Sequence, residues 1–372
     1  MGKRRHHNAS REGGSFLGNF LALTFGLLVS LVFAEIGARI LYPRWDEFDS
    51  ARFMMLVPVE GFPGVPIGRP GFDGWFSQNN GDFRAHIHVN ELGLRNDEPP
   101  MAAAGRLWVV GDSFTFGWGV GRDEIFGAAA ARQLGWEWYS VASPGTDVCG
   151  YRQLIARMPA EVKPRAVVLG LTIENDLAEY DCSASSAHAA TAPVADLAAS
   201  MATRLNEIKV FLTGHSALYN FGAAAAKKSP GLENLLIRLR LIASPHVEHS
   251  QFDPDRLEAV LDSTAAEIGR FRDMLPPGTP LVVTIIPARL ELRDGAAFDR
   301  AEREGMVSRL TAMGIEVADP FAAFAAEGLA RIHFAHDGHW APLGHRIAGE
   351  LTAEHLARLA PSSTSPTQES RP

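Results

Sequence analysis

Residues 107–117 read LWVVGDSFTFG. Leu107, Trp108, Val109 and Val110 form a short apolar run without alternation, the pattern of a strand buried on both faces. The run breaks at Gly111-Asp112-Ser113, and residues 125–134 follow with helical spacing. The same unit recurs outward along the chain. Further strand candidates are 136–141, 166–171, 281–286 (stopped by Pro287) and 315–318 (stopped by Asp319-Pro320). Helical segments lie between them at 148–158, 257–274 and 297–313. Apolar strands alternating with helices imply an α/β fold, with a parallel sheet covered on both faces. Functional groups in such sheets gather at the carboxyl ends of the strands. Ser113 falls at one of them.

The chain has 372 residues, 46% hydrophobic and 21% charged, enough for one large domain and additions to it. The net charge of -8, with no basic stripe, argues against a nucleic-acid partner. Two cysteines are too few for a disulfide scaffold or a four-cysteine zinc module.

Residues 16–34, FLGNFLALTFGLLVSLVFA, carry no charge and approach the ~20 apolar residues that span a bilayer. Lys3, Arg4, Arg5 and Arg11 precede them, opposed only by Glu12. That bias puts a basic tail (1–15) in the cytoplasm and everything after Ala34 outside it. Val32-Phe33-Ala34 looks like a signal cleavage site, so a removed signal peptide is the competing reading. The helical pattern runs on through Glu35, Ile36, Ile40 and Leu41, and the run is long for a signal core. Both favour a membrane anchor over 16–36 and a single-pass protein of the cell membrane. Either reading exports the domain.

Residues 37–104 are rich in Pro, Gly and aromatics and read as a connector packing on the main domain. Only 85–89 alternates enough for a short strand there. The main domain covers 105–360, with an insertion at 181–252. The insertion is Ala/Ser-rich, then helical around Ile208, Val210, Phe211 and Leu212, then basic at Lys227 and Lys228. Its length suits a lid or a binding surface. The tail at 361–372, PSSTSPTQESRP, has the composition of a disordered segment.

Three places carry candidate chemistry. A serine at a strand-to-helix turn is exposed, and the helix N-terminus favours developing negative charge. Gly-Asp-Ser is also an ordinary turn in which Asp112 or Ser113 merely caps the helix. Near the C-terminus, His333-Phe334-Ala335-His336-Asp337-Gly338-His339 supplies a base and a nearby acid, and a nucleophilic serine needs both. The histidines there, with His345, also admit zinc, but no HExxH spacing is present. His333, His336 and His345 read as structural or solvated. The third place is a set of oxyanion donors: the Ser113 N–H, the Gly145 N–H in Ser143-Pro144-Gly145-Thr146-Asp147, and the Asn175 amide in Glu174-Asn175-Asp176. Each lies just past a different strand end.

Taken together, these blocks resemble the SGNH (GDSL-like) hydrolases. GDSFTFGWGV is similar to the nucleophile block, SPGTD to the glycine block, END to the asparagine block and DGHWAPLGH to the Asp/His block, in the family's order. VNELGLRNDE, from Val89 to Glu98, looks like membrane-tethered bacterial members. The resemblance covers roughly residues 85–356. It implies a three-layer α/β/α sandwich of flavodoxin-like type, with Ser113 as nucleophile, His339 as base and Asp337 orienting it. The Ser113 N–H, Gly145 and Asn175 would form the oxyanion hole, and no cofactor is needed.

The implied activity is a serine esterase acting on O-acyl groups of an envelope glycan or lipid. An O-acetyltransferase with a membrane acyl-donor partner would use the same triad, and a non-catalytic envelope binding protein would keep only the fold. Two departures stand out. Glu174 replaces a frequent glycine, and one residue rather than two separates Asp337 from His339, as in relatives that acetylate or deacetylate exported polysaccharides. Cys149 and Cys182 follow the Gly145 and Asn175 loops. A disulfide between them and two unrelated thiols are both open.

Overall fold

The computed structural model describes residues 12–59, 62–78, 81–182, 208–227, 229–239 and 253–359. The basic run bearing Lys3, Arg4, Arg5 and Arg11, the Ala/Ser-rich part of the insertion (183–207), Lys228 and the tail lie outside these residues.

The core is a five-stranded sheet of β5 (Leu107–Gly111), β6 (Trp138–Ala142), β7 (Ala166–Thr172), β8 (Leu281–Ile286) and β9 (Glu316–Ala318). Its order is β6-β5-β7-β8-β9, and every pairing is parallel. All residues of β5, β7 and β8 are buried, which explains their unbroken apolar runs.

Alternate residues of each strand feed two separate cores. Trp108, Val110, Val167, Leu169, Val283 and Ile285 pack against α4 (Val148–Ala156), α8 (Leu257–Asp273) and α10 (Ala297–Ala312). Leu107, Val109, Ala166, Val168 and Val282 pack the other way, against α3 (Phe126–Leu134), α11 (Phe321–Glu327), α12 (Leu329–Ile332) and α13 (Pro342–Leu359). The fold is therefore the expected three-layer α/β/α sandwich. Two short helices complete it, α2 (Ser113–Phe116) after β5 and α9 (Arg289–Asp294) after β8.

The second strand begins later than the sequence reading has it, at Trp138 instead of 136. Gly135 closes α3 in the left-handed region (φ 66), and Trp136 and Glu137 are spent on the turn. The helix expected over 148–158 stops at Ala156.

The segment after the N-terminal helix is more ordered than a connector. It forms two antiparallel hairpins, β1 (Met54–Val59) with β2 (Phe62–Gly68), and β3 (Asp73–Ser77) with β4 (Arg84–His88). Phe53, Phe76, Phe83 and Ile87 join Phe116 in a third core beside the turn that carries Ser113. Arg95 locks this arrangement. Its buried guanidinium donates to the carbonyls of Phe116, Gly117, Val120 and His86 at 2.8–3.1 Å. Burial, aided by the positive charge of Arg122, pulls its pKa down to about 9.

Helix α1 (Glu12–Leu41) includes a 26-residue stretch, Phe16–Leu41, whose most apolar 18 residues have a mean hydropathy of 2.1, with none of them buried. By length and composition it can cross a membrane or serve as a signal sequence. The described part of the insertion is helical: α5 (208–215), α6 (Ala217–Lys227) and α7 (Pro230–Arg238).

Arg95→Met removes the donor that serves four buried carbonyls. Urea unfolding should show a loss of about 3 kcal/mol or more. A loss under about 0.5 kcal/mol, the level of a neutral surface change, would contradict the role given to Arg95.

Candidate active site

Strands β6, β5 and β7 are neighbours, so the turns at their carboxyl ends converge. Ser113 follows β5, Gly145 follows β6 and Asn175 follows β7. Asp112, not Ser113, caps α2: its Oδ1 accepts the Phe114 N–H at 3.0 Å. The Ser113 hydroxyl is thereby left for other work.

Ser113 Oγ lies 2.8 Å from His339 Nε2. The other ring nitrogen, Nδ1, lies 2.5 Å from Asp337 Oδ1, which also accepts the His339 backbone N–H at 2.9 Å. The single intervening residue thus lets one carboxylate oxygen hold both the ring and the backbone of the histidine. The imidazole is flanked by Trp118 (5.6 Å between centroids, stacked) and Phe114 (4.9 Å). Gln78, from the turn between β3 and β4, donates to Asp337 Oδ2 at 2.6 Å. Burial pushes the Asp337 carboxyl up, but the hydrogen bonds and charge of His339 and the Gln78 amide outweigh it and hold the pKa at about 2.

Asp112 ties the nucleophile turn to its neighbour. Fully buried, it accepts Thr172 Oγ1 at 2.9 Å and Asn175 Nδ2 at 3.4 Å through its second oxygen. Burial pushes its pKa up against those hydrogen bonds. Asp176 is buried behind it, holding the Tyr151 hydroxyl (2.9 Å) and the Thr172 N–H (2.7 Å). Burial, with Asp112 nearby, drives its carboxyl well up. Gly145 is exposed and has a φ of 76, left-handed, a turn conformation other residues adopt only with strain. The Ser113 N–H heads α2, where intrahelical partners are lacking.

Glu174, the departure from the family pattern, is buried and paired with Arg289 at the start of α9 (2.8 Å). It also accepts the Arg289 backbone N–H at 2.7 Å. The Arg289 guanidinium lies against Gly338, where any Cβ would run into it. The ion pair therefore joins the Asn175 loop to the loop carrying Asp337 and His339. A disulfide, Cys149–Cys182, links the first turn of α4 to the chain after Asn175, with Cα atoms 5.4 Å apart. It closes a loop of 33 residues that contains the Asn175 turn and begins four residues past Gly145, worth about 4 kcal/mol by chain entropy.

The other histidines are used elsewhere. His345 is fully buried, stacked on Phe126, and burial pulls its pKa down to about 3. His336 is held through its ring and backbone by Asp82. His333 is buried. Among the described residues, no group of three or more His, Cys, Asp or Glu is disposed to hold a metal ion.

Ser113, His339 and Asp337 thus come together, Asn175 is tied to the Ser113 turn through Asp112, Gly145 lies in the turn after the neighbouring strand, and Gln78, Arg95 and Arg289 support these loops. Gln78 has no motif to betray it. Arg289 is signalled only by the unexpected acid at 174.

No protein-family model matches the chain, and no curated protein is similar to it. Solved structures with a similar chain path include a carbohydrate esterase family 2 enzyme with a carbohydrate-binding domain from Corynascus thermopiles (Myceliophthora fergusii). It is 14% identical with a TM-score of 0.39, and the match covers 68% of this chain and 66% of that one. A member of the lipolytic protein G-D-S-L family from Veillonella parvula is 13% identical (TM-score 0.36; 68% of this chain, 100% of that one). A carbohydrate acetylesterase from Sinorhizobium meliloti is 12% identical (TM-score 0.37; 68% and 100%). At these identities and TM-scores the likeness carries no chemistry across, and the site must be read from its own geometry.

Two outcomes follow from the buried charges. Asp337 has a pKa below its ordinary 3.8, so it stabilises the fold above that value, and the contribution is lost as the pH falls toward 2. Between pH 5 and pH 2 the wild type should lose about 2 kcal/mol more than Asp337→Asn in urea unfolding. Parallel losses in the two proteins would refute the depressed pKa. Glu174→Ala removes the buried carboxylate that pairs with Arg289 and should cost about 3–5 kcal/mol in thermal unfolding, with Glu174→Gln recovering part. An unchanged melting curve for Glu174→Ala would rule out a structural ion pair.

Proposed function

We propose that this protein is a serine esterase that cleaves O-acyl groups from an envelope glycan or lipid, outside the cytoplasm. The observation that carries the reading is the continuous hydrogen-bonded relay from Ser113 Oγ through His339 to Asp337. Nucleophile, base and orienting acid lie within hydrogen-bond reach without rearrangement.

In the proposed reaction, Ser113 Oγ attacks the ester carbonyl carbon as its proton passes to His339 Nε2. Asp337 holds the tautomer that leaves Nε2 free to accept and offsets the imidazolium charge. The tetrahedral oxyanion takes hydrogen bonds from the Ser113 and Gly145 N–H groups and from Asn175 Nδ2, which Asp112 orients. The intermediate collapses and expels the alcohol, which leaves with the proton from His339. Water, deprotonated by His339, then attacks the acyl-enzyme and releases the carboxylic acid and Ser113.

Two features support an exported site. The Cys149–Cys182 disulfide suits an oxidising compartment. The apolar helix α1 suits a membrane anchor, with the domain on the far side from the basic tail.

The test is hydrolysis of p-nitrophenyl esters of two, four and eight carbons by the full chain in detergent. Ser113→Ala and His339→Ala should each lose about 10⁴–10⁶ in kcat, and Asn175→Ala about 10²–10³. Turnover that survives in Ser113→Ala would defeat the reading. A folded parent that hydrolyses none of these esters would point to acyl transfer onto a glycan hydroxyl from a membrane donor, or to a binding role.

A further inference from the structure

The described part of the insertion carries apolar side chains that no described residue covers. Ile208, Phe211, Phe221, Leu232, Leu235 and Leu239 are all exposed, Phe211 at 60% and Leu239 at 57%. Leu232, Leu235 and Leu239 recur at i, i+3 and i+7, so they form one stripe along and just past α7. Single exposed leucines are unremarkable on a soluble surface, but a stripe at helical spacing marks an interaction face.

The place of these helices in the fold identifies what they face. The run from Phe16 through Ala34, at about 1.5 Å per residue, covers roughly the ~30 Å of bilayer hydrocarbon. With α1 read as a membrane anchor, Glu35 falls at the membrane–water boundary. Its carboxylate accepts the backbone N–H groups of Ala217 (2.9 Å) and Leu218 (3.0 Å) and the Ser216 hydroxyl (2.9 Å), so α6 starts at that boundary.

Arg39, paired with Glu35, donates to the His215 carbonyl at the end of α5 (2.8 Å). Tyr42 meets Phe221 edge-on at 6.4 Å, and the buried Asn220 amide donates to the Trp45 carbonyl at 3.0 Å. Tyr42 and Trp45 are the residue types that collect at membrane interfaces. Helices α5 and α6 are thus docked on the outer end of α1, and α7 packs on α6.

We propose that α5, α6 and α7 form a second membrane contact, lying in the lipid headgroup region beside α1 with their leucine and phenylalanine side chains against the acyl chains. The catalytic domain is then held at a fixed attitude to the bilayer instead of swinging on a single tether. This rests on the reading of α1 as an anchor.

The test uses the full chain in phosphatidylcholine vesicles. Both native cysteines are in the disulfide, so an introduced one takes a nitroxide label alone. Labels are placed by Leu23→Cys in α1, by Phe211→Cys and Leu235→Cys in the insertion, and by Glu258→Cys on the exposed side of α8. Collision with oxygen, which concentrates in lipid, is compared with collision with a water-soluble nickel chelate on both sides of the vesicle. The labels at 211 and 235 should follow that at 23, favouring oxygen and losing access to nickel, while the label at 258 favours nickel. Labels at 211 and 235 as open to nickel as that at 258, with 23 still in lipid, would overturn the inference and leave the anchor standing. Shielding of 211 and 235 from both agents would mean a protein cover and would also overturn it. Nickel access at 23 would bring down the anchor, and this inference with it.

Discussion

Asp112 has no access to water, and a buried carboxylate must find its hydrogen-bond donors inside the protein. It finds them in the Phe114 N–H, the Thr172 hydroxyl and the Asn175 amide. One of these belongs to the turn that carries Ser113, and two to the end of the adjacent strand. Satisfying one buried group therefore fixes where the Ser113 turn stands relative to Asn175. The parallel sheet makes this possible, because β6, β5 and β7 end side by side and deliver their turns to one place.

Further ties close around that centre. Glu174 and Arg289 join the Asn175 loop to the loop of Asp337 and His339, the disulfide links α4 to the chain after Asn175, and Arg95 binds the turn after Ser113 to the hairpins. Each is buried or covalent, so a site built from four separate loops is held without relying on any one of them. Such preorganisation is what lets fixed donors stabilise a developing oxyanion at little reorganisation cost.

The sheet was legible because strands covered on both faces must be apolar throughout, and the runs of β5, β7 and β8 stand out from the helices between them. The grouping of Ser113 with His339 and Asp337 was legible because a serine placed for nucleophilic attack would need a base and an orienting acid, and Asp337 and His339 lie two apart. The hairpins before the sheet were missed except at 85–89, because Phe53, Phe76 and Phe83 find partners such as Phe116 and Phe334 far along the chain. Gln78 stands 259 residues from the Asp337 it supports, and no local pattern encodes such a contact. The buried arginines show the same limit. Arg95 reads as an ordinary charged residue until four carbonyls are seen to converge on it, and Glu174 reads as a departure until Arg289 is seen beside it.

The central claim is that Ser113 is a nucleophile activated in the folded state. Its most direct measurement is stoichiometric labelling of the full chain with a fluorophosphonate, followed by mass analysis of the proteolytic peptides. The account predicts one equivalent of adduct, on Ser113, that disappears on denaturation before labelling and in His339→Ala. A folded protein that stays unmodified, or that carries its adduct on another residue, would contradict it.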